Sequence, residues 1–160
     1  MKRLLAAVLC LLFPMAILAS EAGYAVKYDG GSLGDIKTGT DLRLVMNGNE
    51  IQLMHKHEVV KVIPASAVTE ISYGQDVHRR VGAAIGLAVV SFGIGALMAL
   101  SKSKKHFVGL TWSVPDGKGG EQKGGFAVQC DKNDYRGVLT GLEGITGKKA
   151  VDSEAMTVKN

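Results

Sequence analysis

The side chains most capable of chemistry do not form a catalytic or metal-binding pattern in this sequence. His55 and His57 flank one lysine, a spacing that would put both imidazoles on one face of a strand. No cysteine, aspartate or further histidine accompanies them at ligand spacing, so a solvated hairpin end is expected there. Cys130 has no adjacent histidine that would act as a base, and a core position is expected for it. The sequence therefore predicts no catalytic residue, no metal and no cofactor.

Two stretches rich in glycine and lysine, GKGG at 117–120 and KGG at 123–125, resemble a phosphate-binding loop only in composition. They lack the G-x-x-x-x-G-K-[ST] spacing and the helix that must follow it, so a hairpin turn is predicted. No G-x-S-x-G or H-E-x-x-H motif occurs either. We therefore expect a protein that is not an enzyme.

The charge of the chain is small and unevenly placed. The net charge is +4 over 160 residues, which is too little for the basic face that nucleic-acid binding needs. The basic residues instead lie around one apolar run, and this arrangement favours membrane lipid as a partner and argues against nucleic acid.

Residues 1–22 have the layout of a secretory signal peptide. Lys2 and Arg3 precede an apolar stretch that runs to Leu18, and the small residues Ala19 and Ala22 offer two cleavage sites. The segment also contains one of the two cysteines, so the processed chain keeps a single cysteine and no intramolecular disulfide. The prediction is an exported protein on the extracytoplasmic side of the cell envelope.

A second apolar segment, residues 81–101, has the composition of a membrane insert. Its first twenty residues, VGAAIGLAVVSFGIGALMAL, contain one polar side chain and would reach about 30 Å as a helix. A helical hairpin that bends near 91–95, a single transmembrane helix and a buried helix of a soluble core all fit this segment. Basic side chains at both ends suit the membrane interface: Arg79, Arg80, Lys102, Lys104 and Lys105. Small residues suit close helix packing: Gly82, Gly86 and Gly93.

Residues on both sides of the apolar segment alternate as strands do. Leu42, Leu44 and Met46 share one face, and Asn47-Gly48 then marks a hairpin turn. Further strands are predicted at 24–28, 51–53, 58–63 and 67–73 before the apolar segment, and at 108–114 and 126–130 after it. In the fourth of these, Thr69 and Ile71 are expected on one side. We expect one sheet that continues across the insert.

A C-terminal helix is predicted over 131–147. Asp131 is the expected N-cap, apolar residues recur at helical spacing, and Gly147 ends the helix. Three glycines inside this helix, Gly137, Gly141 and Gly144, each lower helix propensity, which indicates close packing of the helix on the sheet. Residues 150–160 are polar and are predicted to form a flexible tail.

The strand order, the segment "VIPASAVTEISYG" at 62–74 and the final helix "DKNDYRGVLTGLEGITGKK" at 131–149 resemble the bacterial pleckstrin-homology-like (PH-like, GRAM-related) domains. The resemblance implies a mainly β, α+β fold: an antiparallel sandwich or barrel of about 6–7 strands with a C-terminal helix. It also implies a binding or membrane-association module without catalytic residues. The loop at 29–40 holds only Lys37 and no Lys-x-Arg cluster, which argues against an inositol phosphate ligand.

These observations divide the chain into a signal peptide (1–22), a first β part (23–80), the insert (81–101), a second β part with the helix (102–149) and the tail (150–160). A sheet split by a bilayer would have open edges and no closed core, so the hairpin is favoured over the single span. The predicted function is a non-catalytic binding or scaffold module at the envelope membrane, with a protein partner. The alternative is a membrane protein of glycine-zipper type that self-associates through Gly82, Gly86 and Gly93.

Overall fold

A computed structural model describes residues 23–75, 77–86 and 105–153 of the chain. Two helices lie in this part, α1 (Val77–Ile85) and α2 (Tyr135–Thr146). The strands are β1 (Gly23–Gly31), β2 (Asp41–Asn47), β3 (Glu50–His55), β4 (Glu58–Pro64), β5 (Val68–Tyr73), β6 (His106–Pro115), β7 (Glu121–Cys130) and β8 (Ala150–Asp152).

Within the described residues these strands form one sheet in the order β4-β3-β2-β1-β7-β6-β5-β8. All neighbours are antiparallel except β5 and β8, which are parallel. The mainly β class and the antiparallel arrangement of the first seven strands are confirmed. The central pairing of β1 with β7 joins distant parts of the sequence, with Val26 opposite Cys130.

The sheet curls so that its two ends approach each other. Only the 3-10 turn Ala65–Ala67 separates β4, at one end of the strand order, from β5, near the other end. The contact that shows the approach is between Lys61 of β4 and Trp112 of β6, whose ring centroid lies 5.5 Å from the lysine Nζ. A strongly twisted sheet encloses its apolar face in this way without full closure.

The concave side of the sheet holds the main core. Alternating side chains enter it from every long strand, for example Leu42 and Leu44 of β2, and Phe126 and Val128 of β7. The alternation arises because successive strand residues point to opposite faces of a sheet. Helix α2 covers this core through Val138 and other apolar residues of the same helix face.

Close glycine contacts bring α2 against the sheet, as predicted. A Cβ added at Gly137 would lie 2.7 Å from the Tyr24 hydroxyl, and one at Gly141 would lie 2.7 Å from the Met46 sulfur. Gly144 has no atom within 4 Å of that position, so close packing does not explain it. The helix ends at Gly147 in the left-handed conformation (φ 69°), the usual C-cap geometry for glycine.

The helix begins later than predicted, because Asp131 closes a turn rather than capping the helix. Its side-chain Oδ1 accepts a hydrogen bond from the Asn133 N–H at 2.9 Å, and its carbonyl accepts one from Tyr135. Asp134 is the N-cap, and its side chain makes no capping hydrogen bond. An aspartate side chain that bonds the backbone two residues ahead favours a turn over a helix start.

A bulge in β5 changes the predicted inward face of that strand. The pairing with β6 shifts between Val68 and Glu70, so Val68 and Ile71 are buried while Thr69 is exposed. The expectation that Thr69 shares a face with Ile71 is therefore wrong. An extra residue at a bulge reverses the side-chain alternation, and hydrophobic patterning alone does not reveal it.

Two domain boundaries also differ from the prediction. Residues 150–152 form β8 on the edge of β5, so the segment 150–160 begins with a strand rather than a flexible tail. Residues 81–85 belong to α1, which packs on the sheet, so the folded domain extends past the predicted start of the insert. The rest of that insert, beyond Gly86, lies outside the described residues. No helix in the described ranges is long and apolar enough to cross a bilayer.

Candidate functional site

The strands on either side of the predicted insert pair directly with each other. Ile71 of β5 lies opposite Leu110 of β6, and Tyr73 lies opposite Val108. A bilayer cannot separate two strands that share backbone hydrogen bonds. The single-span alternative, with the two β parts on opposite sides of a membrane, is incompatible with this pairing.

Helix α1 leads into the apolar segment and is held on the convex side of the sheet. Val77, Val81 and Ile85 share one helix face and pack with Phe107 of β6 and Ala127 of β7. This small cluster is separate from the main core, because Phe107 and Ala127 point to the opposite side of their strands. The first residues of the run are thereby part of the folded domain.

Two glycines in the sheet allow α1 to approach closely. A Cβ at Gly109 would lie 2.5 Å from a methyl of Val77 and 2.8 Å from one of Val81. At Gly125 the nearest methyls, from Val81 and Ile85, would lie 3.0 and 3.1 Å away. The flat strip that these glycines leave across β6 and β7 therefore sets the position of α1.

The two ends of the apolar segment leave the domain at opposite ends of α1. Gly86 follows the C-terminus of α1, while the Lys105 carbonyl accepts a hydrogen bond of 2.6 Å from the Gln75 side chain, just before α1 begins. The described residues that flank 87–104 therefore lie near opposite ends of a helix about 14 Å long.

The predicted membrane-interface residues have different surroundings. Arg79 is exposed and Lys105 is half-buried, while Lys102 and Lys104 lie outside the described residues. Arg80 is held by Glu70 of β5 through two hydrogen bonds of 3.0 Å, and only 13% of its side chain is exposed. The hydrogen bond from Arg80 to Glu70 raises the pKa of the guanidinium further. Arg80 therefore ties α1 to the sheet.

The predicted helix-packing glycines do not share one helix face. Gly82 is buried within α1, whereas Gly86 follows the helix end and is exposed in the left-handed conformation (φ 69°). A left-handed residue turns the chain away from the helix axis, so a continuous Gly82-x-x-x-Gly86 stripe does not form. Gly93 lies outside the described residues.

A buried contact between a carboxylate and an imidazole, which sequence reasoning missed, also fastens α1. The Asp29 carboxylate, 3% exposed, lies 2.9 Å from Nε2 of His78, whose ring packs edge-on against Phe107 at 5.0 Å. Asp29 occupies a bulge in β1, where the pairing with β7 shifts between Tyr28 and Gly30. The Gly30-Gly31 pair after an aspartate was the available signal, since glycines in a strand often mark bulges.

A cleft of about 590 Å³ lies between the β1–β2 loop and the β3–β4 hairpin. Its charged lining is mixed, because Asp35 lies with Lys37 and the Lys61 ammonium is placed over the Trp112 ring. His55 lies at its edge, 3.2 Å from the Asp41 carbonyl. A basic cluster of the kind that binds several phosphates is not formed by these residues.

A second cleft, of about 220 Å³, lies where the chain returns from the apolar segment. It is formed by Tyr73 at the end of β5, Lys105 and His106 at the start of β6, Tyr135 of α2 and Asp152 of β8. The His106 and Tyr135 rings stack at 4.1 Å with an interplanar angle of 6°. The sequence did not predict that these residues lie together. The cleft depends on β8, whose residues were predicted to belong to a flexible tail.

The remaining sequence candidates occupy structural positions. His57 lies in the turn after β3 rather than on a strand face beside His55, and no three His, Cys, Asp or Glu side chains gather as a metal site in the described part of the chain. Cys130 is buried, and burial raises the pKa of its thiol to about 12. Such a thiol is protonated at neutral pH and is a poor nucleophile.

Comparisons with known proteins leave the chain without an assigned family. No protein-family model matches it, and no curated protein matches it significantly.

Proposed function

We propose that the protein is an exported, non-catalytic module of PH-like type, attached to the extracytoplasmic face of an envelope membrane through residues 87–104, where it binds a partner protein. The observation that carries this proposal is the pairing of β5 with β6 across that segment. The apolar run leaves one folded domain and returns to it, as a membrane anchor inserted into a domain must do.

The length of the run supports a shallow insertion. Once 81–86 are assigned to the domain, the remainder is 87–100, which is apolar except for Ser91 and would reach about 21 Å as a helix. A bilayer core is about 30 Å thick, and both ends of the run are fixed to the same domain. A hairpin that dips part of the way into the membrane satisfies both conditions.

The architecture supports the PH-like assignment. Seven antiparallel strands curl around a core that one C-terminal helix covers, in the order that the resemblance implies. Strand β8 and helix α1 are not part of the fold that the resemblance implies. We propose binding rather than catalysis for two reasons. The sequence contains no motif that places a nucleophile beside a base, and the Cys130 thiol is protonated at neutral pH.

The edge strand β4 supports binding of a protein partner. Val59, Val60 and Val62 are exposed on this strand, which has a neighbour on one side only among the described strands. An extended segment of another protein adds to such an edge through main-chain hydrogen bonds, while the valines provide apolar contacts. The alternative of self-association through Gly82, Gly86 and Gly93 has less support, because Gly82 is buried.

The test compares the processed chain with a variant in which residues 87–104 are replaced by about eight Gly and Ser residues, enough to span the length of α1. We expect the processed chain to stay with phosphatidylglycerol vesicles through a high-salt wash, because insertion is not screened by salt. The variant should remain in the supernatant and still unfold cooperatively.

A chain with Val59→Ser and Val62→Ser serves as the matched control and should stay with the vesicles. Release of the processed chain by salt, or retention of the variant, would contradict the anchor. The N-terminus of the exported protein is expected at Ser20 or at Gly23, the first residue of β1.

A further inference from the structure

We propose that the cleft formed by Tyr73, Lys105, His106, Tyr135 and Asp152 binds an ethanolamine phosphate group, with the ammonium at Asp152 and the phosphate at Lys105. This proposal rests on the proposed function, because it assigns a headgroup preference to the same membrane-attached module. The cleft holds about 220 Å³, roughly the volume of seven liquid waters, which suits a headgroup and not an acyl chain.

The lining of the cleft contains an acid. Asp152 of β8 is paired with Tyr73 of β5, and its negative charge is the main reason that the pKa of Tyr73 is raised. The Glu143 carboxylate acts on Tyr73 in the same direction, so a second acid contributes to the field. A carboxylate next to a phenol is a suitable site for an ammonium group, which donates hydrogen bonds to both oxygen types.

The lining also contains a base. Lys105 lines the cleft, its backbone is fixed by the hydrogen bond from Gln75, and His106 follows it at the start of β6. A lysine ammonium binds phosphate as a compact point charge. Because an acid and a base line the same small cleft, a zwitterion is complementary to both of them.

The aromatic geometry favours a primary ammonium over a trimethylammonium. Quaternary ammonium groups are bound by several open aromatic faces. In this cleft one face of Tyr135 is stacked on His106, and Arg136 also occupies the ring, with its guanidinium carbon 5.8 Å from the centroid and Nε 3.0 Å from the hydroxyl. A primary ammonium needs only oxygen acceptors, which Asp152 and Tyr73 provide.

The position of the cleft favours a lipid as the source of the group. Lys105 is the first described residue after the apolar segment, so the cleft lies where the chain returns from the proposed membrane insertion. A headgroup bound here would be held beside its own acyl chains in the bilayer. Free O-phosphoethanolamine contains the same two groups, an ammonium and a phosphate, and the experiment separates the two sources.

The experiment measures binding of the processed chain to phosphatidylglycerol vesicles that contain an equal share of either phosphatidylethanolamine or phosphatidylcholine. We expect at least about tenfold tighter binding to the ethanolamine vesicles, the effect of one charge-assisted hydrogen bond. Asp152→Asn and Tyr73→Phe should abolish this preference without changing binding to pure phosphatidylglycerol. Asp116→Asn, in the distant β6–β7 turn, is the matched control and should keep it.

Each outcome has a separate meaning. Loss of binding to every vesicle would contradict the membrane anchor, whereas binding without a preference for ethanolamine would overturn only the headgroup site. Variants that retain the thermal midpoint of the parent exclude a folding defect, and a preference that survives in both cleft variants would also overturn the site. Soluble O-phosphoethanolamine abolishes the preference if the free compound is a ligand, and leaves it intact if only the lipid is bound.

Discussion

At the scale of single residues, two side-chain contacts to acidic residues connect α1 to different strands of the sheet. His78 reaches Asp29 of β1, and Arg80 reaches Glu70 of β5. In the strand order, β7 and β6 lie between the two strands that carry these acids. The helix is therefore attached to strands that do not belong to one hairpin. Charged groups removed from water need such partners, since an unpaired buried charge is strongly destabilising.

The Arg80–Glu70 pair should make a measurable contribution to stability. We expect Glu70→Gln to lower the free energy of unfolding by about 1 kcal/mol, because it removes the charge that two hydrogen bonds from a largely buried guanidinium require. The matched control is Asp41→Asn, which removes the exposed Lys27–Asp41 pair and should change stability by less than about 0.5 kcal/mol. Urea unfolding measures both, and equal losses would contradict the assignment.

The Cys130 thiol should make stability depend on pH in alkaline solution. Its pKa is about 12 in the folded protein, whereas an unfolded cysteine ionises near pH 8.5. Above about pH 9 the unfolded chain therefore binds fewer protons than the folded one, and the free energy of unfolding falls as pH rises, by up to about 1.4 kcal/mol per pH unit.

The comparison that isolates this effect is Cys130→Ala. Tyrosines and lysines titrate in both proteins, so the difference between the two pH profiles belongs to the thiol. We expect the wild-type curve to fall more steeply between pH 9 and 11. Parallel curves would show that the thiol ionises as readily in the folded protein as in the unfolded one.

At the scale of elements, the position of α1 depends on missing side chains in the sheet. Gly109→Ala should lower the free energy of unfolding by about 1–3 kcal/mol, because its methyl would lie within 3 Å of both Val77 and Val81. Gly144→Ala is the control, in a helix position with no neighbour within 4 Å, and should raise stability by about 0.5–1 kcal/mol. A tolerated alanine at 109 in thermal unfolding would show that α1 is not held there.

The elements differ in how well the sequence predicted them. Strands with strict alternation, such as β2 with Leu42 and Leu44, were found within a residue or two, because period-2 burial leaves a clear pattern. Helix α1 was predicted only from residue 81 onward and was assigned to the insert, because its apolar residues run directly into a longer apolar segment, which hides where the domain ends. Strand β8 was missed because three residues are too few to show a period, and its formation depends on the edge of β5.

The candidate sites were predicted less well than the strands. The cleft at the start of β6 is formed by Tyr73, Tyr135 and Asp152 from three different elements. Tertiary packing brings these residues together, and no local spacing in the sequence predicts it. Arg80 was predicted to lie at the membrane interface, and its partner Glu70, ten residues earlier on another element, was not predicted. Charge at the end of an apolar run indicates an interface, while only the fold shows which charges are already paired.

At the scale of the whole molecule, the sheet joins residues that are far apart in the chain. Its centre is the pairing of β1 with β7, which brings Val26 to Cys130, and the strands that flank the apolar segment pair with each other as well. The membrane segment that we propose is therefore an insertion within one folded domain. A partner bound to β4 and a lipid bound near Lys105 would contact one continuous sheet.

The β1–β7 pairing also determines when the protein can fold. A chain emerging from the ribosome can form the β2–β3 and β3–β4 hairpins early, but the central strands must wait until about a hundred further residues have been made. Closing so long a loop is slow compared with hairpin formation. The nascent chain therefore stays largely unfolded until synthesis is nearly complete. For the exported protein that we propose, this delay would keep the chain threadable through a translocation channel until β7 has crossed.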